Sequence, residues 1–585
     1  MSGCESTPQP TQAAPDPVVP VPPATVDGIL QSAERARDLA QKARFYLEAL
    51  EQLHESGDVE RVQRTLRRIR AMDLEQGVQI ADALSRELRY RFDAIGLDLA
   101  IINGEDHEIE RLLTGLEPQD PAQARHAAAL RARALSVIGD VAGALRQLIG
   151  LADVTDEPAA LRDLNAWIWR HLSQFPVLEC RARAISAAGA SERAWWTLAG
   201  DFNAAVTGRG QARQWQRWRS RHPEHPAARH PPPGVSAVDP GPAQLALLVP
   251  VTGTFGAAGE AVRDGLLGAY LHAGEDTQRI GIYDTNAMSI RAAYELARRD
   301  GADVIIGPLQ KEAVAAFADL SPTLPVIALN HVDAAPEGAR TFLQFSLAIE
   351  DQASAIARAL SAADIDRIVL FDSPARWSVR ARARFEDELE GIETVGFGTF
   401  HRVAEATNIV GDALHIRESQ TRARELESLL GTTFEFAPRR RDDVDAVVAL
   451  IDADELLSLK PALDYHFAGD LPLFAPATAT LGGVDRSRLE GLRVCVMPWT
   501  LDTDALGKSV KDAFPSSRGA YASLFALGVD GFRLANQLDR LTVRREPIPG
   551  STGVLSLGED GRIQRTLVWA QVRDGRLVPM LDGTR

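Results

Sequence analysis

Cys4 is the residue of this chain best placed to carry covalent chemistry. It stands behind Ser2 and Gly3. A cysteine after such a small–small pair is what bacterial lipoprotein processing leaves at a mature N-terminus, and Met1 occupies the place where the usual processing box has leucine. Residues 5–23 contain seven prolines and no hydrophobic period, the pattern of an extended, poorly packed tether. A lipid on Cys4 followed by such a tether would hold globular domains at a membrane surface without crossing it. The alternative is a free thiol in a disordered start. Glu5, where aspartate would signal retention in enteric-type sorting, points to the outer membrane.

Other residues with chemical potential are fewer. Cys180 lies in a helical pattern and Cys495 in a strand pattern; they fall in different domains and read as small buried hydrophobes rather than a disulfide. No cysteine or histidine spacing suits zinc. His222, His225 and His230 are interleaved with prolines, which reads as solvated linker and not as a metal tract. Thr252 to Gly259 is a glycine loop between a strand and a helix, a placement that suits anions or polar ligands at a helix N-terminus. Its glycines run G-x-x-G-x-x-G, whereas a dinucleotide fingerprint needs G-x-G-x-x-G. No Walker loop, nucleophile elbow or zinc-protease motif occurs. Lys311, near a helix start, reads as a surface lysine. The expectation is therefore no catalytic residue, no metal and no cofactor.

The elements that position these residues divide the chain. At 585 residues, 45% apolar and 25% charged, it has the composition of soluble multidomain proteins. A net charge of −16 argues against nucleic-acid binding, which needs a basic face. Arginine far outnumbers lysine, and this reads as coding bias. No apolar run has transmembrane length. After the lipid site and tether (residues 1–26), residues 27–221 read as successive helices, with Leu39, Ala43, Tyr46, Leu47, Leu50 and Leu53 at helical spacing. Breaks at 56–58, 103–105 and 139–140 place glycine in the turn and an acid at the next helix start. The cadence is that of degenerate tetratricopeptide-type pairs, a stack that leaves a grooved surface for macromolecules. Trp167, Trp169, Trp195, Trp196, Trp215 and Trp218 cluster late in this half. They serve either as a binding platform or, the favoured reading, as a lock between the last helices. One member of each adjacent pair is expected to face away from the core. Residues 222–243 read as a proline-rich, protease-sensitive linker.

From 244 to 585 strands and helices alternate. Expected strands cover 245–249, 279–284, 303–308, 325–329, 368–371, 393–400, 446–451, 472–475, 492–497, 553–557 and 567–572, with helices at 260–272, 290–299, 310–320 and 520–538. Apolar strands alternating with helices mean parallel sheets covered on both faces, here in two lobes with strand-end loops facing a cleft. The fold class is thus α plus α/β: a helical, tetratricopeptide-like domain, then a two-lobed α/β domain. Thr252, Thr254, Gln310, Asn330 and Ser346, polar residues in or beside strand-end loops, are the candidates for lining the cleft; loop capping is their competing role.

The second half resembles the type I periplasmic-binding-protein fold. More closely, the chain resembles penicillin-binding protein activators of the LpoA family. The resemblance rests on Leu248-Val249-Pro250-Val251-Thr252-Gly253, Tyr283-Asp284-Thr285, 303–311, Ile327-Ala328-Leu329-Asn330, Phe345-Ser346-Leu347 with Glu350-Asp351, Gly528-Val529-Asp530 and 550–556. Trp215-Gln216-Arg217-Trp218 with His225-Pro226-Ala227-Ala228 resembles the family's interdomain join. The resemblance implies an outer-membrane lipoprotein on the periplasmic face that binds a class A penicillin-binding protein and stimulates its peptidoglycan synthesis, with peptidoglycan as a further contact. Amino-acid-binding relatives of the fold place small hydroxyl residues after the third strand. Here that place reads Pro308-Leu309-Gln310-Lys311, so the cleft is either vestigial or holds something other than an amino acid. The runner-up function is a periplasmic solute receptor that uses the interlobe cleft for a small polar ligand.

Residues 5–26 reach roughly 70 Å if extended at about 3.1 Å per residue. Cys4→Ser in the full precursor should therefore release the protein into the soluble periplasmic fraction on cell fractionation. Retention of the variant in the membrane fraction would overturn the lipid reading.

Overall fold

The computed structural model describes residues 25–76, 79–237, 239–274, 278–332, 342–363, 365–433, 435–480, 484–501 and 504–580. Cys4 and nearly all of the tether lie outside them. The chain packs as two compact units, one ending at Val154 and the other beginning at Thr155. No helix among the described residues is long and apolar enough to cross a membrane.

The first unit is helical: Val26–Arg35, Leu39–Glu55, Val59–Gln76, Arg86–Asn103, Asp106–Gly115, Pro121–Val137 and Val141–Asp153, with a short 3-10 turn at Ile80–Ala83. The three expected breaks are where helices end. Gly104 takes left-handed φ of 66° and closes its helix. Asp58 and Asp140 accept backbone N–H bonds from Arg61 and Gly143, satisfying donors that a helix start leaves open. Glu105 makes no such cap; its carboxylate accepts from Asn103. The helical-period residues Tyr46, Leu47, Leu50 and Leu53 meet Val62, Leu66 and Ile69 in one core. Tyr90, Leu97, Ile109 and Leu130 share the next.

The second unit begins with four helices, Pro158–Leu172, Val177–Ser186, Ala190–Ala204 and Gly208–Arg221. Here two expectations are corrected. Trp195 and Trp196 are both fully buried. Their helix is enclosed on both sides: Trp195 stacks on Trp169, and Trp196 meets Phe175 edge-on. Nor are residues 222–243 an open linker. Pro226–Arg229 form a helical turn, Ala227, Ala228 and Val235 are buried, and Asn165 donates to the carbonyls of Pro226 and His230. The division therefore falls at 154/155 and not within 222–243, because the helices from 158 onward pack with the α/β part of the chain.

Numbered in chain order, the strands are β1 (Gln244–Val249), β2 (Arg279–Asp284), β3 (Val304–Ile306), β4 (Val326–Ala328), β5 (Phe342–Phe345), β6 (Arg367–Asp372), β7 (Glu393–Thr399), β8 (Ala446–Leu450), β9 (Leu473–Pro476), β10 (Arg493–Val496), β11 (Ile548–Pro549), β12 (Val554–Leu557), β13 (Arg562–Thr566), β14 (Val568–Arg573) and β15 (Arg576–Pro579). They form two sheets, β11-β12-β13-β5-β4-β3-β1-β2 and β15-β14-β10-β9-β8-β6-β7. Strand side chains alternate between faces. Leu245, Leu247 and Val249 enter one core while Ala246 and Leu248 enter another. In the second sheet Val369 and Phe371 face one core, and Ile368 and Leu370 the other. Burial on both faces is why these strands are continuously apolar. Among the described residues the chain crosses between lobes three times, after β5, after β10 and between β13 and β14.

The helix expected at 260–272 begins earlier, at Gly256, so half of the supposed glycine loop is its first turns. A Cβ on Gly259 would lie 1.8 Å from the Pro250 carbonyl oxygen; this glycine admits the incoming strand end. The helix crosses Ala522–Asn536 just as closely. A Cβ on Gly528 would lie 2.0 Å from the Val262 oxygen, and one on Gly265 2.1 Å from that of Phe525. Buried Asp530 of this second helix accepts from the backbone N–H groups of Ser551 and Thr552 and from the Thr552 hydroxyl, each at 2.7 Å. Arg533, Gln537 and Arg540 donate to carbonyls of Asn203, Val206 and Ser173, which binds the helices from 158 onward to the first lobe.

Two measurements test these assignments. Residues 154–157 are at least partly exposed and lie between helices, so brief digestion with a broad-specificity protease should cut there and leave 222–243 intact. First cleavage within 222–243 would restore the linker. His225 is buried, its Nδ1 accepts from the Ala227 N–H, and its ring meets Trp195 and Trp218 edge-on. Burial pushes its pKa down to about 4. The fold thus favours the neutral ring, and this contribution is whole above the unfolded value of about 6.5 and is lost as pH falls through about 4. Urea midpoints should show a loss on the order of 3 kcal/mol across that window. The loss should be smaller in His225→Asn. Identical pH slopes would exclude His225 as the titrating group.

Candidate interlobe binding site

The C-terminal ends of β4 and β5, strand β13 and two second-lobe helices, Glu350–Ala362 and Arg376–Asp387, enclose a cavity of about 890 Å³. Its size is within the range of small-molecule sites.

Two of the five candidate residues line it. Asn330, just beyond β4, donates from Nδ2 to the Leu309 carbonyl at 2.9 Å and accepts the His331 N–H at Oδ1. Its amide holds the loops after β3 and β4 together. Ser346, just beyond β5, is buried with Oγ 3.1 Å from His331 Nδ1. The other three, Thr252, Thr254 and Gln310, do not line this cavity. The strand order explains the two threonines. β1 and β2 close the sheet at the edge away from β13, and Thr252 is spent there, donating to Asp284 Oδ2 at 2.6 Å. Thr254 is exposed in the same loop. Gln310 occupies the N-cap position of the helix Lys311–Ala318 without a side-chain cap bond; its neighbours Leu309 and Lys311 are the ones that reach the cavity.

The sequence reading missed the charged wall. Arg565 on β13 is almost wholly buried; its Nε and Nη2 both lie 2.8 Å from Asp351 Oδ2, and its Nη2 donates to the Ala348 carbonyl. Asp351 opens the first turn of a second-lobe helix, so this pair ties lobe to lobe. Burial raises the Asp351 carboxyl above its ordinary range, with Arg565 opposing that shift. Arg380 pairs with Glu350 at 2.9 Å, and Arg384 with Glu388. Burial, reinforced by Arg562 and Arg565, holds the His331 imidazole below its usual pKa, so the ring is neutral near pH 7. One signal was available in the sequence: Arg380 and Arg384 are four apart and thus share a helix face.

Cations and apolar and polar side chains surround a space open to small molecules. Two sheets crossed three times by the chain, with a cavity where the lobes meet, define a type I periplasmic-binding-protein-like domain, here bonded to a helical segment. The family can be stated as well. The family described as "LppC putative lipoprotein" matches residues 21–575, and the chain belongs to it. Among similar proteins, the penicillin-binding protein activator LpoA of Photobacterium profundum is 26% identical over 383 residues, 62% of each chain. The protein of the same name from Vibrio antiquarius is 24% identical over 463 residues, 76% of each chain. The match to the first therefore spans less than two thirds of that relative's length. The crystal structure of full-length LpoA from Haemophilus influenzae is 19% identical, covers 95% of this chain and 98% of its own, and superposes with a TM-score of 0.47.

Proposed function

We propose that this protein is a non-catalytic regulator of peptidoglycan synthesis. It binds a class A penicillin-binding protein and stimulates that enzyme from the periplasmic face of the outer membrane, to which Cys4 anchors it. The observation that carries this reading is the span of the family match, residues 21–575, taken with the activator name of relatives aligned over as much as 76% of the chain. A solute receptor has no use for a fused helical half; a protein that must reach and grip an enzyme has. The second unit's construction supports the same reading. Its helices are joined to the first lobe by buried hydrogen bonds from Arg533 and Arg540, so the two present one continuous surface to a partner. Peptidoglycan itself is a further contact in this reading.

Mixing the purified soluble protein with a class A synthase and its lipid-linked substrate should raise glycan polymerisation or peptide cross-linking. Alanine at Asn330 and Ser346 should leave that stimulation largely intact, because the effect comes from a docked surface. The protein alone should release no fragments from purified sacculi. Absence of stimulation, or release by the protein alone, would overturn the proposal.

A further inference from the structure

We propose that the interlobe cavity is a binding site for a small anionic molecule with an apolar body. Six cationic side chains line it: Lys311, Arg358, Arg380, Arg384, Arg562 and Arg565. Four carboxylates do so as well, and each is already matched: Asp351 by Arg565, Glu350 by Arg380, Glu388 by Arg384 and Asp560 by Arg562. Six cations less four anions leaves two positive charges, on a chain whose net charge is −16. The unmatched pair is Lys311 and Arg358; neither has a carboxylate within 4 Å among the described residues. They stand on different lobes, Lys311 on the first helix turn after β3 and Arg358 on the second-lobe helix Glu350–Ala362.

Leu309, Leu329, Leu347, Leu524, Leu527 and Ile563 also line the cavity, beside the polar Asn330, Ser346, Ser354, Gln564 and Thr566. Such a wall rewards burial of hydrocarbon and disfavours a bare inorganic ion. Surplus cations and aliphatic side chains in one cavity suit a carboxylate or phosphate monoester carried on an apolar chain or ring. This site goes beyond the regulatory reading and does not depend on it.

Calorimetry and thermal melting of the full soluble protein, with octanoate, octyl phosphate, octanol and octylamine below their aggregation concentrations, test the assignment. Octanoate or octyl phosphate should bind and raise Tm, and whichever binds tighter names the head group; octanol and octylamine should do neither. Lys311→Gln with Arg358→Gln, both exposed positions, should keep the unliganded Tm and weaken the anion by about tenfold or more. Equal binding of octanol, no binding by either anion, or unchanged affinity in the double variant would overturn the proposal.

Discussion

The helix Ala522–Asn536 is the constraint on which the second unit depends. Every residue from Phe525 to Asn536 is buried, so it has no solvent face and must be matched on all sides. One side meets the helix Gly256–Ala273 at a separation only glycine allows. Another packs on the first sheet through Val529 and Phe532. A third carries Arg533, whose guanidinium is held by Asp530 and by carbonyls of the preceding helical segment. Buried charges are costly unless paired and hydrogen-bonded; Arg533 Nη1 reaches those carbonyls, while its Nε has the Asp530 charge at 3.6 Å but no hydrogen bond among the described residues. The Asp530 carboxylate has three donors besides Arg533. Sheet, helix pair and helical segment thus share one packed element, and none can be repositioned alone.

Much of this was legible from the residues because burial on both faces leaves a strong mark. Runs such as 245–249, 368–371 and 446–451 have no polar face, and their positions follow from that alone. The strands that escaped notice are β5, β11, β13 and β15; all are short, β11 is only two residues, and the other three carry polar or charged residues. In β13, Arg562, Gln564 and Arg565 interrupt any apolar pattern, since that strand borders the cavity and gives only Ile563 to the core. The segment 222–243 misled for a related reason. Proline and histidine ordinarily mark solvated chain, but Pro226 starts a helical turn, where it costs nothing, and His225 is covered by two tryptophans.

The site was less legible than the fold. Strand-end position alone nominated Thr252, Thr254 and Gln310, yet which ends face the cavity depends on strand order, which one-dimensional pattern does not encode. Asn330 and Ser346 follow β4 and β5, whose ends border the cavity. The charged wall comes from residues more than two hundred positions apart, Asp351 and Arg565, brought together by the crossings. Against an arginine-rich background, a functional arginine carries no compositional signal; only its neighbours distinguish it.

The three crossings have a mechanical consequence. Two bodies joined by a single strand can swivel about it and slide past one another. Three separate attachments, after β5, after β10 and between β13 and β14, oppose both torsion and shear, because each would stretch at least one backbone segment. Bending about the line through the three is what remains. The Arg565–Asp351 pair lies beside two of these attachments, where the lever arm is short. A clasp there opposes opening with little torque, so the lobes gain a preferred angle without being locked at it.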